Sequence, residues 1–204
     1  HEAADPRALG WTREALARTG GGNVWSMMSA DPERGLLFLP TATAAPNNFG
    51  GHRPGDNRYA NSVVALRAAD GSVAWHFQVV HHDVWDLDLP AQPILVDLER
   101  NGAKVPVVIQ LTKQGLIFVL NRETGEPVFP VEERPVPTDG VPGEVLSPTQ
   151  PFPTRPAPLG TLKYTTDDAW GFTLFDKAAC RRRLVQARAP EAGAGRIRWD
   201  RKTA

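Results

Sequence analysis

The residues best suited to chemistry lie in one short segment, residues 79–93, with the sequence VVHHDVWDLDLPAQP. Two histidines, three aspartates and a tryptophan fall within eight consecutive residues of it, directly after an apolar run. Side chains of these types could hold a metal ion, accept a proton from a substrate, or form a polar turn that only joins two strands. Each interpretation makes a different demand on where the side chains point.

The spacing disfavours a metal site. His81 and His82 are adjacent, and neighbouring side chains of a strand point to opposite faces of the sheet, so the two rings do not readily converge on one ion. An iron site of two histidines and one carboxylate would need one of them and a second histidine from elsewhere in the chain. The remaining histidines are His1, His52 and His76.

An acid–base site is compatible with the same segment. Asp83, Asp86 and Asp88 follow the apolar run, and the indole of Trp85 offers an apolar wall beside them. Desolvation of a carboxylate raises its pKa and makes it a better proton acceptor at neutral pH. Asp86 directly follows the tryptophan and is the best placed of the three. A turn of solvated carboxylates satisfies the same spacing, so the residues alone leave both interpretations open.

The elements that must position these residues are short strands. Apolar runs rich in Val, Ile, Leu and Phe alternate with turn residues such as Asp-Gly and Asn-Gly, which is the pattern of antiparallel hairpins. Helical periodicity is absent between residues 22 and 135, so the sequence predicts an all-β domain. The predicted strands are residues 35–41, 62–68, 73–80, 92–98, 104–112 and 115–121.

Two hairpins resemble each other at an offset of 54 residues. ALRAADGSVAW (65–75) and VLNRETGEPVF (119–129) share a turn around a glycine and an aromatic residue four positions after it. That offset is close to the period of a four-stranded propeller blade, with Trp75 or Phe129 covering the contact between sheets. Two unrelated hairpins could share the same turn residues. If the propeller interpretation holds, two or three blades cannot close a ring, and the chain is a fragment.

Composition excludes several classes of protein and marks two unusual flanks. The 204 residues carry 23 basic and 23 acidic side chains, so no net charge attracts nucleic acid or an anionic membrane. The single cysteine excludes an internal disulfide framework. Residues 130–160 are proline-dense and predict an ordered, extended excursion. Residues 178–204 predict a short helix and a solvated tail, while a basic arm for nucleic acid lacks the aromatic residues needed for base stacking.

Several long segments resemble the pyrroloquinoline-quinone (PQQ)-dependent dehydrogenases, and in particular the membrane-bound quinoprotein glucose dehydrogenase type. They are HHDVWDLDLPAQP, NGAKVPVVIQLTKQGLIFVLNRETG, SPTQPFP, TGGGNVWSMMSADPERGLLFLPT and RPGDNRYANSVVAL. The similarity covers about residues 19–180. Because members of this family are eight-bladed propellers of more than twice this length, the resemblance implies a partial β-propeller of about three four-stranded blades.

The resemblance also implies a division of the chain. Residues 1–18 form a poorly matched N-terminal segment, and residues 19–135 form propeller blades that carry the cofactor-site residues. Residues 136–177 form a proline-rich excursion between blades. Residues 178–204 form an atypical tail rich in arginine and alanine.

Five site residues follow from the resemblance. Asp86 matches the general base, which takes the proton of the substrate hydroxyl as hydride moves to the quinone. Lys113 matches the cation at the quinone oxygens, and Trp25 matches the tryptophan on which the flat cofactor stacks. Thr43 and Asn47 match positions that present oxygen ligands to Ca²⁺ or Mg²⁺. Relatives carry Asn and Asp at these two positions, so the substitutions weaken the predicted metal site.

The implied function is PQQ-dependent oxidation of a sugar or alcohol, with electrons passed to ubiquinone or a cytochrome. The implied location is the periplasm, with membrane contact made only through parts absent from this chain and with no nucleic-acid partner. Two alternatives remain: a non-catalytic quinoprotein-like propeller that binds protein partners, and an inactive truncated product. In every case the isolated chain is expected to be inactive, since most of a propeller is missing.

Overall fold

A computed structural model of the chain describes residues 11–160 and 165–186. The chain divides into two compact units, His1–Ala157 and Pro158–Ala204, which are described separately. The first ten residues of the predicted N-terminal segment and residues 187–204 of the predicted tail lie outside the described residues. The first unit contains α1 Arg13–Arg18, β1 Gly20–Gly21, β2 Ser29–Asp31, β3 Leu36–Pro40, β4 Ala44–Ala45, β5 Ser62–Arg67, β6 Val73–Gln78, β7 Ile94–Arg100, β8 Ala103–Leu111, β9 Ile117–Asn121, β10 Val131–Pro135 and β11 Thr149–Pro153.

The first unit is built around two antiparallel sheets. One has four strands in the order β2-β3-β5-β6, and the other has three in the order β7-β8-β9. A single bridge between Leu120 and Pro127 continues the second sheet beyond β9. All six predicted strands are present, within two residues of the predicted start and end. The prediction of an all-β, partial propeller is confirmed.

Trp75 joins the two sheets in the way that the repeated hairpin pattern predicts. Its side chain is buried, and its indole N–H donates a 3.0 Å hydrogen bond to the carbonyl oxygen of Arg122 at the end of β9. The ring lies on Gly125, where a Cβ would come within 2.6 Å of the indole. Gly125 also has a φ of 76°, so this turn suits a glycine for both reasons. Phe77 and Phe118 add a second aromatic contact between the sheets, with ring centroids 5.7 Å apart.

A buried ion pair reinforces this contact. Asp31, at the end of β2, accepts a 2.8 Å hydrogen bond from Arg122 and a 3.2 Å bond from Arg34. Arg122 also contacts Asp97 on β7 at 2.6 Å. Burial by itself raises the pKa of Asp31, but hydrogen bonds from the Arg34 backbone and from the Arg122 and Arg34 side chains outweigh it, so the pKa lies below 3.8. The carboxylate is therefore held ionised between the sheets.

The proline-dense excursion contains a strand pair that the sequence pattern does not show. β10 and β11 pair antiparallel from Val131 opposite Pro153 to Pro135 opposite Thr149. Prolines at three of these ten positions disguise the pairing, because proline is unfavourable inside most sheets and tolerated only at edges.

The second unit contains a 3-10 turn, Thr166–Asp168, and a helix, α2, Leu174–Gln186. The helix begins four residues before the predicted tail, so the predicted boundary at 177/178 falls inside it. Thr173 and Asp176 explain the early start, because the Thr173 hydroxyl accepts from the Asp176 backbone while the Asp176 carboxylate accepts from the Thr173 backbone. Within the described ranges, neither helix has the length and hydropathy required to cross a membrane.

We predict that the Asp31 ion pair makes stability depend on acid pH. Its contribution is complete above pH 3.8 and is lost as the pH falls through the lower pKa of the folded state. Asp31→Asn should lower the free energy of unfolding at pH 7 by roughly 1.5–3 kcal/mol, with a smaller difference between variant and parent at pH 2. Urea denaturation at both pH values measures this effect. Glu99→Gln on the exposed face of β7 is the control, and equal losses for both variants would contradict the prediction.

Candidate functional site

The polar segment is a tight turn that is organised by the buried carboxylate of Asp83. Oδ1 of Asp83 accepts a 2.9 Å hydrogen bond from Trp85 N–H, and Oδ2 accepts a 2.7 Å bond from Leu87 N–H. Oδ2 also accepts a 3.0 Å bond from Asn61 Nδ2 and a short bond from the Thr43 hydroxyl. Four donors from three segments therefore converge on one side chain. The turn interpretation therefore applies to Asp83, and an acid–base role for Asp86, which the turn presents, stays a prediction.

Asp86 projects from this turn with a left-handed backbone, at a φ of 57°. Its Oδ1 accepts a 2.7 Å hydrogen bond from Asn47 Nδ2, and its Oδ2 lies 3.3 Å from Lys113 Nζ. The side chain is 45% exposed. The indole of Trp85 therefore does not enclose this carboxylate, which differs from the expected desolvation, and the two side chains that bind its oxygens are polar. Access to solvent also means access to a ligand.

Lys113 lies on the turn after β8 and binds two aspartates. Its Nζ contacts the carbonyl oxygen of Asp86 at 2.6 Å and Asp88 Oδ2 at 3.2 Å. Burial by itself lowers the pKa of Lys113, but hydrogen bonds and charge interactions with Asp88 and Asp86 outweigh it, so the pKa is raised. Burial raises the pKa of Asp88, but bonds from the Thr43 backbone and Lys113 outweigh it, so that pKa is lowered. The site thus contains a fixed positive charge.

The two predicted metal ligands differ in what they can offer. Thr43 is buried, and its hydroxyl both donates to Asp83 and accepts a 3.0 Å hydrogen bond from Asn61. The hydroxyl is therefore already engaged by two protein partners and offers a cation only a neutral oxygen with one lone pair left. Asn47 uses its amide nitrogen on Asp86, which leaves the amide oxygen as the group suited to a cation. In the described ranges no cluster of three or more His, Cys, Asp or Glu side chains has metal-site geometry.

Trp25 lies on a segment that is tied to the polar segment. Ser26 Oγ donates a 2.7 Å hydrogen bond to the carbonyl oxygen of Pro90, and Gln92 Nε2 donates a 3.1 Å bond to that of Met28. The Trp25 side chain is 57% exposed. A large aromatic face that is open to solvent suits stacking of a flat ring system. The role of Trp25 in holding a planar cofactor stays a prediction.

The two adjacent histidines have different partners. His81 Nδ1 lies 2.7 Å from Gln78 Oε1, and its Nε2 lies 3.0 Å from Glu133. His82 is buried, with Nε2 2.8 Å from Glu144. Sequence reasoning missed the structural roles of Asp83 and Asn61 and did not consider Glu144. The role of Asp83 has a local signal, because an aspartate at the start of a turn often accepts hydrogen bonds from the backbone N–H groups two and four residues after it. The contacts of Asn61 and Glu144 are long-range and leave no such signal.

Comparison with known proteins gives a consistent result. A family model described as "PQQ: Glucose/ethanol/alcohol dehydrogenase, beta-propeller domain" matches residues 1–193. The quinoprotein glucose dehydrogenase of Escherichia coli K12 is 43% identical over 190 residues, which are 91% of this chain and 23% of that protein. The glycerol dehydrogenase large subunit of Gluconobacter oxydans is 41% identical over 168 residues, which are 81% of this chain and 23% of that protein.

A solved structure supports the same relationship. The crystal structure of the quinohemoprotein alcohol dehydrogenase from Comamonas testosteroni matches with a TM-score of 0.55 and 27% identity. The match covers 72% of this chain and 22% of that one. The chain thus spans less than a quarter of the length of these relatives.

We predict that Asp83 stabilises the turn more than any surface aspartate does. Asp83→Asn replaces one accepting oxygen by an NH₂ group that faces a donor, so it should lower the free energy of unfolding by about 1–3 kcal/mol. Urea denaturation measures the loss. Asp70→Asn is the matched control, because Asp70 is exposed and accepts a 2.9 Å bond from Ser72 N–H in a simple turn. A loss for Asp83→Asn no larger than that of the control would refute the role given to Asp83.

Proposed function

The chain belongs to the PQQ-dependent glucose/ethanol/alcohol dehydrogenase β-propeller family, and from this we propose that it supplies one side of the active site of a quinoprotein dehydrogenase that oxidises a sugar or alcohol. The observation that supports this proposal best is the grouping of Asn47, Asp86 and Lys113. A partly exposed carboxylate lies between an amide donor and an ammonium group, on the solvent side of a rigid turn. The joint presence of these groups and an open tryptophan face argues against a non-catalytic propeller.

Trp25 and Lys113 are the residues that would hold the cofactor. The exposed indole of Trp25 offers a stacking surface, with a contribution of about 0.5–1.5 kcal/mol beyond area burial. Lys113 brings a permanent positive charge to the site, and its side chain is 32% exposed. When bound, PQQ supplies a two-electron acceptor for the hydride that leaves the substrate carbon. The positive charge of Lys113 would stabilise the negative charge that develops on the quinone oxygens during reduction.

Asp86 accepts the proton of the substrate hydroxyl. Asn47 and Lys113 donate to its two oxygens, an arrangement that suits an ionised carboxylate and fixes its orientation. The proton passes from the hydroxyl oxygen to the carboxylate as the C–H bond breaks, so the substrate leaves as a carbonyl compound. The exposure of Asp86 allows a substrate to approach and the proton to return to solvent afterwards.

Calcium or magnesium fits the present donor set poorly. Thr43 already donates to Asp83 and accepts from Asn61, and Asn47 contributes one neutral amide oxygen, whereas both cations prefer several oxygen ligands with carboxylates among them. Neither predicted ligand brings a negative charge to the site.

Glucose is the first substrate to test, because the match to the glucose dehydrogenase covers 91% of the chain whereas the match to the glycerol dehydrogenase subunit covers 81%. We also propose ubiquinone or a cytochrome as electron acceptor and the periplasm as location, as the resemblance implies. The direct test is a chimera in which residues 1–193 replace the matched segment of the E. coli enzyme. With PQQ and Ca²⁺ it should oxidise glucose with an artificial dye, while the 204-residue chain alone should not. An inactive, folded chimera that does not bind PQQ would refute the proposal.

In this chimera, Asp86→Asn should lower turnover by ~10²–10⁴-fold, the usual contribution of a positioned general base. The amide keeps the shape of the side chain but accepts no proton, so PQQ affinity should change little. Steady-state kinetics and PQQ titration measure the two effects separately. Asp70→Asn provides the control at an exposed turn. Turnover equal to that of the parent chimera would exclude Asp86 as the base.

Lys113→Ala should weaken PQQ binding and lower turnover together, because it removes the cation of the site. Lys113→Arg should restore part of both, since it keeps the charge and changes the geometry. Lys104→Ala, on the exposed end of β8, is the control for loss of a lysine. If Lys113→Ala bound PQQ as tightly as the parent chimera, Lys113 would be a structural partner of Asp88 alone.

A further inference from the structure

Glu144 joins three segments of the first unit that lie far apart in sequence. Its side chain is 3% exposed, Oε1 lies 2.8 Å from His82 Nε2, and Oε2 accepts a 2.7 Å hydrogen bond from Gly50 N–H. The other ring nitrogen of His82, Nδ1, lies 2.7 Å from the carbonyl oxygen of Gly55. A buried carboxylate and a buried imidazole therefore anchor residues 46–57, here called the Asn47 loop, at two points.

The Asn47 loop is shaped to fit this pair closely. A Cβ at Gly50 would overlap the ring of His82 and lie 2.9 Å from Glu144 Oε1. A Cβ at Gly51 would overlap the carbonyl oxygen of Gly143, next to Glu144. Both positions exclude a side chain, so the loop backbone lies directly on the residues that anchor it.

The anchored loop carries Asn47 to Asp86. Arg53, fully buried, donates to the carbonyl oxygen of Pro46 at 3.1 Å and to that of Asp83. Asn47 thus lies between Pro46, which Arg53 holds, and the anchor at Gly50. Its amide then reaches Asp86 Oδ1 at 2.7 Å. Loss of the anchor at Gly50 would release the loop on one side of Asn47 while leaving the turn around Asp83 in place.

The hydrogen-bond pattern requires a proton between His82 and Glu144. Nδ1 of His82 faces a carbonyl oxygen, which can only accept, so Nδ1 carries a hydrogen. Nε2 then faces a carboxylate, which also accepts when ionised, so one further proton must lie between Nε2 and Oε1. The charges of Glu144 and Asp83 both act on the buried guanidinium of Arg53. Burial lowers the pKa of Arg53, and the charges of Asp83 and Glu144 oppose that shift, which keeps the guanidinium positive.

The other titratable side chains of these segments do not share this proton. His52 and Asp56, on the Asn47 loop, are exposed. His81 is bound to Gln78 and Glu133. The shared proton therefore belongs to His82 and Glu144.

We propose that Glu144 is a positioning residue for the oxidation reaction: with His82 and the proton that they share, it holds the Asn47 loop so that Asn47 orients Asp86. The inference rests on the proposed function of Asp86 as base. Glu144 touches neither substrate nor cofactor in this role. It acts through Gly50 and Asn47, which lie far from it in sequence.

The test uses the active chimera with Glu144→Ala and Glu144→Gln. Glu144→Ala should lower kcat/KM by roughly 10–100-fold, since small misplacements of catalytic groups have effects of that size. It should also speed amide hydrogen exchange in peptides that cover residues 46–57 by about tenfold or more without PQQ. Glutamine can accept from Gly50 N–H through its oxygen and donate to a neutral His82 through its NH₂ group. Glu144→Gln should therefore lose less than tenfold in kcat/KM and keep slow exchange.

Rescue by glutamine separates positioning from simple structural support. Glu144→Gln keeps an acceptor for Gly50 N–H and needs no shared proton. It should therefore restore most of the kcat/KM and of the exchange protection of the Asn47 loop that Glu144→Ala loses. Glu126→Gln, an exposed carboxylate on a turn, is the matched control and should behave like the parent.

Two results would overturn the inference. One is an unchanged exchange rate in Glu144→Ala, and the other is a loss of kcat/KM in Glu144→Gln as large as that in Glu144→Ala. If Glu144→Ala does not fold, Glu144→Gln alone decides, and a loss of tenfold or more in kcat/KM or fast exchange over residues 46–57 would then overturn the inference. Failure of the parent chimera to bind PQQ or to oxidise glucose would instead refute the proposed function.

Discussion

The site depends first on the hydrogen bonds that the Asp83 carboxylate accepts from four donors. Two of the donors are backbone N–H groups of its own turn, and two are side chains that follow β3 and precede β5. These bonds give the turn a shape in which Asp86 adopts a left-handed backbone and faces outward. A buried acceptor with this many donors is costly to lose, because each donor would remain without a partner in a medium poor in water. The proposed base, Asp86, can be exposed because a different carboxylate, Asp83, holds the turn together.

The charged side chains of the site, which are of both signs, differ in how deeply they are buried. Asp83 and Arg53 are almost completely buried, Asp88 and Lys113 are partly buried, and Asp86 is nearly half exposed. The buried members have several hydrogen bonds each, which offsets the cost of removing them from water. The exposed member, Asp86, retains contact with solvent and is therefore the one available to a ligand. This gradient places the rigid groups beneath the site and the proposed base at its surface.

The sequence predicted the sheets well and the polar contacts poorly. Apolar runs and Asx-Gly turns located six strands, and the repeated hairpin located Trp75 at the contact between sheets. β2 was not predicted because a strand of three residues is too short to show alternation of apolar and polar residues. β10 and β11 were not predicted because their prolines are unusual in paired strands. The proximity of Asp86 to Lys113 came from the family resemblance, whereas the commitment of the Thr43 hydroxyl to Asp83 depends on a contact across 40 residues. Contacts of that kind leave no periodic signal in the local sequence.

The contact between Trp75 and the Gly125 turn joins two different surfaces, because an indole of one sheet packs on a turn of the next sheet. The equivalent turn of the first sheet, at Gly71, has no atom within 4 Å of a Cβ placed there, counting the described residues. Phe129, the aromatic residue that corresponds to Trp75, lies instead beneath the Arg100 guanidinium. Such a head-to-tail contact is heterologous, so repeated copies either close a ring or extend into an open filament. The same interface that orders blades within one propeller thus makes polymerisation the characteristic hazard of incomplete ones, and sedimentation at increasing concentration would detect it.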